Sequence, residues 1–163
     1  SWRRRLFRLA GAVTLVPAWL AVVALHILSP AWLLFCLLLT SAADIAAFFA
    51  GRYYGRTPLA PDLSPGKTRE GLAGALLACA GLAILGAYWA ALPGASWGWF
   101  IGLCLVSALV SVEGDLFESL LKRHAGVKDS SGLLPGHGGV LDRIDSVTAA
   151  APVFYLGLVW VLP

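Results

Sequence analysis

The charged side chains of this 163-residue chain are few, and their spacing marks where chemistry could occur. Ser111, Asp115, Glu118 and Lys122 recur at intervals of four, three and four, which puts them on one helical face with Glu113 nearly opposite. One polar stripe on an otherwise apolar helix faces a cavity or a bundle interior, and this one could hold a metal or a substrate. The segment SLLKRHAGVKDSSGLLPGHGGVLDRID over 119–145 adds Lys122, Arg123, Lys128 and Arg143 as anion contacts. It also supplies Asp129, Asp142 and Asp145 as hard-oxygen ligands, and Asp142 and Asp145, three apart, reach one side of a helical turn. Gly136, Gly138 and Gly139 would let backbone N–H groups approach a phosphate closely. His137, inside the glycine run, is a candidate for a phosphate or sugar hydroxyl, with a structural hydrogen bond in the loop as the equal alternative.

A second window, TPLAPDLSPGKTREG over 57–71, contains a Gly-Lys-Thr triplet. A P-loop needs GxxxxGK[ST] after a strand and opening a helix. Pro61 stands where the first glycine belongs, and no strand is expected ahead of it. The P-loop reading fails. Lys67 remains, with the Ser64 and Thr68 hydroxyls just before a helix start, as a contact for nucleotide phosphates. Asp44 lies within an apolar run, where a carboxylate costs roughly 2.5–3.5 kcal/mol on insertion scales. It is expected to hold the site together, with an arginine as its partner.

The elements that carry these residues follow from composition. The chain is 59% hydrophobic and 13% charged, with a mean hydropathy of +0.80, whereas a soluble domain carries about 25% charged residues. That excludes a secreted disulfide scaffold, a disordered tail and a typical cytosolic enzyme, and leaves an integral membrane protein. All the charges fall in residues 1–8, 44–70 and 113–145, and the stretches between them carry none. The first two silent stretches allow two crossings each, divided at Ser29-Pro30 and at Leu92-Pro93-Gly94-Ala95-Ser96, and the third allows one. The reading is a single all-α membrane domain over 1–163, with about five transmembrane helices near 11–28, 31–50, 71–91, 97–121 and 146–163. The runs are continuously apolar rather than alternating, which argues against a β-barrel. The first span ends without a small-residue cleavage site, so it is not expected to be a cleaved signal peptide.

Arg3, Arg4, Arg5 and Arg8 place the N-terminus on the cytoplasmic side. Five crossings then bring 51–70 and 122–145 to that side as well, and these two charged segments form the site. Cys36, Cys79 and Cys104 sit in apolar spans without CxxC spacing, which favours packing as small apolar side chains over disulfide or zinc roles. Gly94, Gly98 and Gly102 repeat every fourth residue and are expected to mark close helix packing, within the subunit or across a homodimer. His26 reads as packed in its span and His124 as solvated.

The run from Ser119 to Asp145 resembles the signature of the phosphatidate cytidylyltransferase (CDP-diacylglycerol synthase) family: Ser, Lys-Arg, four residues, Lys-Asp, then Leu-Pro-x-His-Gly-Gly and Asp-Arg-x-Asp. AADIAAFFAGRYYG at 42–55, LSPGKTREG at 63–71 and GDLFES at 114–119 are similar to the family too, so the resemblance covers essentially 40–155. Arg69 stands where the family commonly has an aromatic residue, and Glu113 where an apolar one is expected. Members usually carry several extra N-terminal helices, so the chain resembles the C-terminal catalytic part of a longer architecture.

The resemblance implies the reaction CTP + phosphatidate → CDP-diacylglycerol + pyrophosphate with Mg2+, in a bacterial-type inner membrane with the site facing the cytoplasm. It leaves a second cation open and implies no nucleic-acid partner. Asp115, Asp142, Lys122 and Asp145 form the implied catalytic set. Asp115 and Asp142 are the leading metal ligands, with Glu118 and Asp145 beside them. Ser64, Lys67, Thr68, Arg123, Lys128, His137, Gly138, Gly139 and Arg143 are implied substrate contacts, and Asp44, Ser119 and Asp129 implied supports. Charge supports a metal independently. With the four N-terminal arginines set aside from the 12 basic residues, eight face nine carboxylates, a net charge of −1. Side chains in that balance cannot neutralise two polyanionic substrates.

Two rival readings differ in products or in architecture. A CTP-dependent lipid kinase would release CDP and a phosphorylated lipid. An ion-coupled transporter would explain carboxylates within spans, but such folds often carry internal repeats and the sequence shows none.

Overall fold

The breaks in the apolar sequence become the turns of a helical bundle. The computed structural model describes residues 2–61, 64–124, 126, 127, 130 and 141–162. Its helices are α1 (Trp2–Leu28), α2 (Pro30–Tyr54), α3 (Arg69–Trp89), α4 (Gly94–His124) and α5 (Leu141–Val161). A short antiparallel hairpin, β1 (Pro58–Ala60) and β2 (Ser64–Thr68), lies between α2 and α3. The hairpin corrects the expectation that no strand precedes Pro61. The P-loop remains excluded, because Gly66, Lys67 and Thr68 lie on β2 itself rather than in a loop wrapped around a helix start.

Ser29 alone links α1 to α2. Its extended backbone (φ −170°, ψ 131°) and its hydroxyl, which accepts from Ala31 N at 3.3 Å, start α2 with Pro30 at the first turn, where a missing N–H costs nothing. The α3–α4 turn begins slightly earlier than expected. Ala91 takes a left-handed conformation (φ 49°), Leu92 N donates to Ala87 O at 3.0 Å, and Ala91 N donates to Tyr88 O at 3.1 Å. This is a Schellman closure without the usual glycine. At the charged ends the helices overrun their expected limits: α2 runs to Tyr54, α4 to His124, and α5 begins at Leu141. Charge marks the hydrocarbon boundary, whereas the backbone ladder continues into the polar layer.

Each helix packs on the next in sequence, α1 closes on α5, and α2 also reaches α4 and α5. Four of the helices, α2 to α5, are long and apolar enough to cross a membrane; the apolar part of α1, Val13–Leu28, is shorter than 18 residues. The chain is an all-α integral membrane protein. At the end away from the charges, Trp32, Phe35, Phe100 and Phe154 pack ring against ring with centroids 5.7–6.5 Å apart. Cys36, Cys79 and Cys104 are free and buried, as expected of small apolar fillers.

Small residues allow close helix approaches, though at other positions than expected. A Cβ on Gly114 would come 2.4 Å from Ala149 Cβ, joining α4 to α5, and one on Gly74 would come 2.4 Å from Ala50 Cβ, joining α3 to α2. Nothing lies within 4 Å of a Cβ built on Gly94, Gly98 or Gly102. That repeat therefore makes no close helix contact among the described residues, because α4 turns it away from α3 and α5.

Candidate active site

Four elements bring polar side chains to one end of the bundle: the C-terminal half of α2, strand β2, the C-terminal half of α4 and the start of α5. From β2, Lys67 reaches across to α4. Its Nζ lies 2.6 Å from Asp115 Oδ2 and donates to Val112 O at 3.3 Å. Both side chains are only partly exposed, 24% and 32%, so the charge-assisted contact is shielded from much of the solvent. Two segments remote in the chain are thus joined at residues that could bind phosphate and cation.

Asp44 on α2 faces α5, where buried Ser146 donates from Oγ to Asp44 Oδ2 at 3.1 Å. Ser146 is thus the partner of Asp44 among the described side chains, and the side chain of Arg143, earlier on α5, lies outside them. A neutral hydroxyl can sit between packed helices without the desolvation cost of a guanidinium, and Arg52 and Arg56 stand exposed beyond that level of α2. Asp145 accepts from Ser146 N at 2.7 Å. Asp44 lies within electrostatic reach of Asp115, Asp145 and Lys67. A cavity of about 270 Å³ opens among Asp44, Phe48, Lys67, Thr68, Val112 and Asp115, so this cluster faces open space.

The α4 stripe holds as a face. Ser111 and Glu118 are buried, Asp115 and Lys122 are half-buried, and Glu113 is exposed on the other side. Lys122 Nζ lies 3.5 Å from Glu118 Oε1, one turn apart. Glu118 and Asp145 border a second, more apolar cavity of about 340 Å³ between α1, α4 and α5, which also touches Pro17, Phe117 and Pro152. The stripe therefore divides between two cavities, with Asp115 on one and Glu118 on the other.

Other candidates take their places around this end. Thr68 caps α3 by accepting from Gly71 N at 3.1 Å, and it also borders the smaller cavity. Ser64 opens β2, Ser119 is half-buried on α4, and Arg123 is exposed near its end. Lys128, Asp129, His137, Gly138 and Gly139 lie outside the described residues. Asp142 and Arg143 belong to α5, but their side chains are outside what is described. Sequence reasoning missed Ser146, whose type carries no signal in an apolar helix, and Glu70, which accepts from Arg56 N and from Thr57.

Asp44 and Asp115 border the smaller cavity and Asp145, on the larger one, lies within electrostatic reach of Asp44; such all-oxygen donors are the kind a hard divalent cation such as Mg2+ takes. Among the described residues no three His, Cys, Asp or Glu side chains stand ready as a ligand cluster. Asp115 is engaged by Lys67 and Asp44 by Ser146.

Comparison with known proteins gives a consistent result. A sequence model of the cytidylyltransferase family matches residues 4–161. A phosphatidate cytidylyltransferase of Haemophilus influenzae is 50% identical over 125 residues, covering 75% of this chain and 43% of the relative. One of Pseudomonas aeruginosa is 46% identical, covering 98% of this chain and 59% of the relative. One of Synechocystis is 47% identical, covering 75% and 41%. The chain thus spans about half the length of the curated relatives it matches.

Proposed function

The chain belongs to the cytidylyltransferase family, and on that premise we propose that it transfers the cytidylyl group of CTP to phosphatidate. The products are CDP-diacylglycerol and pyrophosphate. A phosphatidate oxygen bonds to the α-phosphorus of CTP while the bond from that phosphorus to the β-phosphate oxygen breaks, and pyrophosphate carries away the electron pair. The observation that carries this reading is the meeting of Lys67 with Asp115 at the charged end of an apolar bundle. A water-borne nucleotide and a membrane-borne phosphate can come together only at such an end.

A phosphate monoester has a second pKa of about 6, so the lipid nucleophile is already ionised near neutrality. No residue need remove a proton. The barrier is the mutual repulsion of two polyanions, and the chain's part is to position them and stabilise the charge in line with the leaving group. Lys67, Lys122, Arg123, Lys128 and Arg143 are assigned to the phosphates, and the glycine backbone at 136–139 to their close approach. Bound at Asp115 and Asp142, with Asp145 and Glu118 alongside, Mg2+ would neutralise phosphate charge. The direct test is purified protein with CTP, phosphatidate and Mg2+, scored for CDP-lipid; CDP with a newly phosphorylated lipid would instead identify a lipid kinase.

His137 is expected to position substrate rather than move a proton. His137→Gln should be slowed but active, and the acidic limb of its pH–rate profile should coincide with that of the wild type. That limb reflects protonation of the lipid phosphate at about pH 6, so rates fall as pH drops through it in both proteins. Loss of the limb in the mutant would make His137 the acid–base group.

The charged end is assigned to the cytoplasm, following the lysine and arginine bias. Cysteines introduced at Ala95, in the α3–α4 turn region, and at Ser130 should label from opposite faces of a sealed membrane. Labelling from the same face would reject the helix arrangement across the bilayer.

A further inference from the structure

We infer that Glu70, on the first turn of α3, is a positioning residue that fixes where Lys67 meets Asp115; the inference rests on the functional reading above. Glu70 Oε2 accepts from Arg56 N and from Thr57 N, each at 3.2 Å, and Oε1 accepts from Thr57 Oγ1 at 3.0 Å. One carboxylate therefore gathers three donors from the linker that leads from α2 into β1. Beside it, Arg69 N donates to Thr57 O at 2.9 Å, and Pro58 pairs with Thr68. These contacts close the base of the hairpin.

The hairpin needs such a closure. An isolated two-stranded ribbon is marginal in water, and this one pairs three residues with five, with an irregular register between Pro58 and Ala60. Lys67 is the penultimate residue of β2, three positions before Glu70. Its Nζ spans from the hairpin to Asp115 and to Val112 on α4, the latter 45 residues further along the chain. Movement at the hairpin base passes directly to that ammonium group. The acidic charge of Glu70 also suits the start of α3, but a helix-end charge alone would not require donors from residues 56 and 57. What Lys67 needs from Glu70 is acceptor geometry, which glutamine largely supplies and alanine does not.

The test uses a readout independent of turnover. A water-soluble carbodiimide joins an amine and a carboxylate in direct contact, so the native Lys67–Asp115 pair should yield a cross-linked peptide by mass spectrometry. Glu70→Gln should retain that cross-link and a near-normal KM for CTP. Glu70→Ala should lose most of the cross-link and raise KM for CTP roughly tenfold, within the range of losses caused by misplacing a binding group. Thr57→Val, which removes one donor and leaves α3 untouched, should give an intermediate yield and keeps the question answerable if Glu70→Ala folds poorly. An undiminished cross-link in both Glu70→Ala and Thr57→Val overturns the inference, whatever the activity. A Glu70-dependent cross-link in a protein that makes no CDP-lipid would uphold the positioning role and reject the functional reading instead.

Discussion

Asp115→Asn is expected to lower turnover at least ~100-fold while the protein remains folded, since even outer partners of a metal site cost up to about 100-fold when removed. Asparagine preserves the shape of the side chain and removes the charge that pairs with Lys67 at 2.6 Å and would hold a hard cation. The fold should survive because both partners are partly exposed, and ion pairs open to solvent contribute little net stability. A charge swap separates a site role from a structural one. In Lys67→Asp with Asp115→Lys the pair can re-form, yet the carboxylate is moved to the hairpin and the amine to α4, so turnover should stay low. Recovery of activity in the swap would make the contact a structural tie.

Gly114→Ala should produce a large loss although it touches no charge. The added Cβ would stand 2.4 Å from Ala149 Cβ, closer than packed carbons allow, so α4 and α5 must separate. Overpacking of this kind costs about 1–3 kcal/mol. The functional cost is larger, because α4 carries Asp115 and α5 carries Asp145, and a shift of about 1 Å in a reacting group can cost 10²-fold. Ala149→Gly removes the opposing methyl and should restore both thermal stability and turnover to Gly114→Ala. Gly102→Ala, with nothing within 4 Å of its Cβ, is the control and should behave as wild type. Failure of Ala149→Gly to rescue would show that the α4–α5 spacing is not what sets the site.

These substitutions also show which parts of the molecule were legible in the chain. The helix count, the Ser29-Pro30 break and the polar face of α4 follow from apolar length, proline and spacing, which are local properties. The α4–α5 contact is different. Gly114 gives no more signal than Gly98 or Gly102, and which glycine meets a neighbour depends on how α4 is rotated against α3 and α5. The hairpin was hidden because its strands are short and contain Pro58 and Pro65, which interrupt any alternation of apolar and polar residues. The Asp44 partner could not be read either. Ser146 lies 102 residues away, and a serine in an apolar helix announces no pairing. Glu70 looks like an ordinary acid at a helix start; its role comes from Thr57, which only the folded hairpin places beside it.

The central claim is that the nucleotide's α-phosphorus is the atom attacked, and the fate of labelled phosphate tests it directly. Purified protein is supplied with phosphatidate, Mg2+ and CTP labelled at either the α- or the γ-phosphorus, and lipid and water-soluble products are separated. Cytidylyl transfer predicts that α-label enters the lipid fraction as CDP-diacylglycerol while γ-label appears only in pyrophosphate. Entry of γ-label into lipid, with α-label left in CDP, would contradict the account.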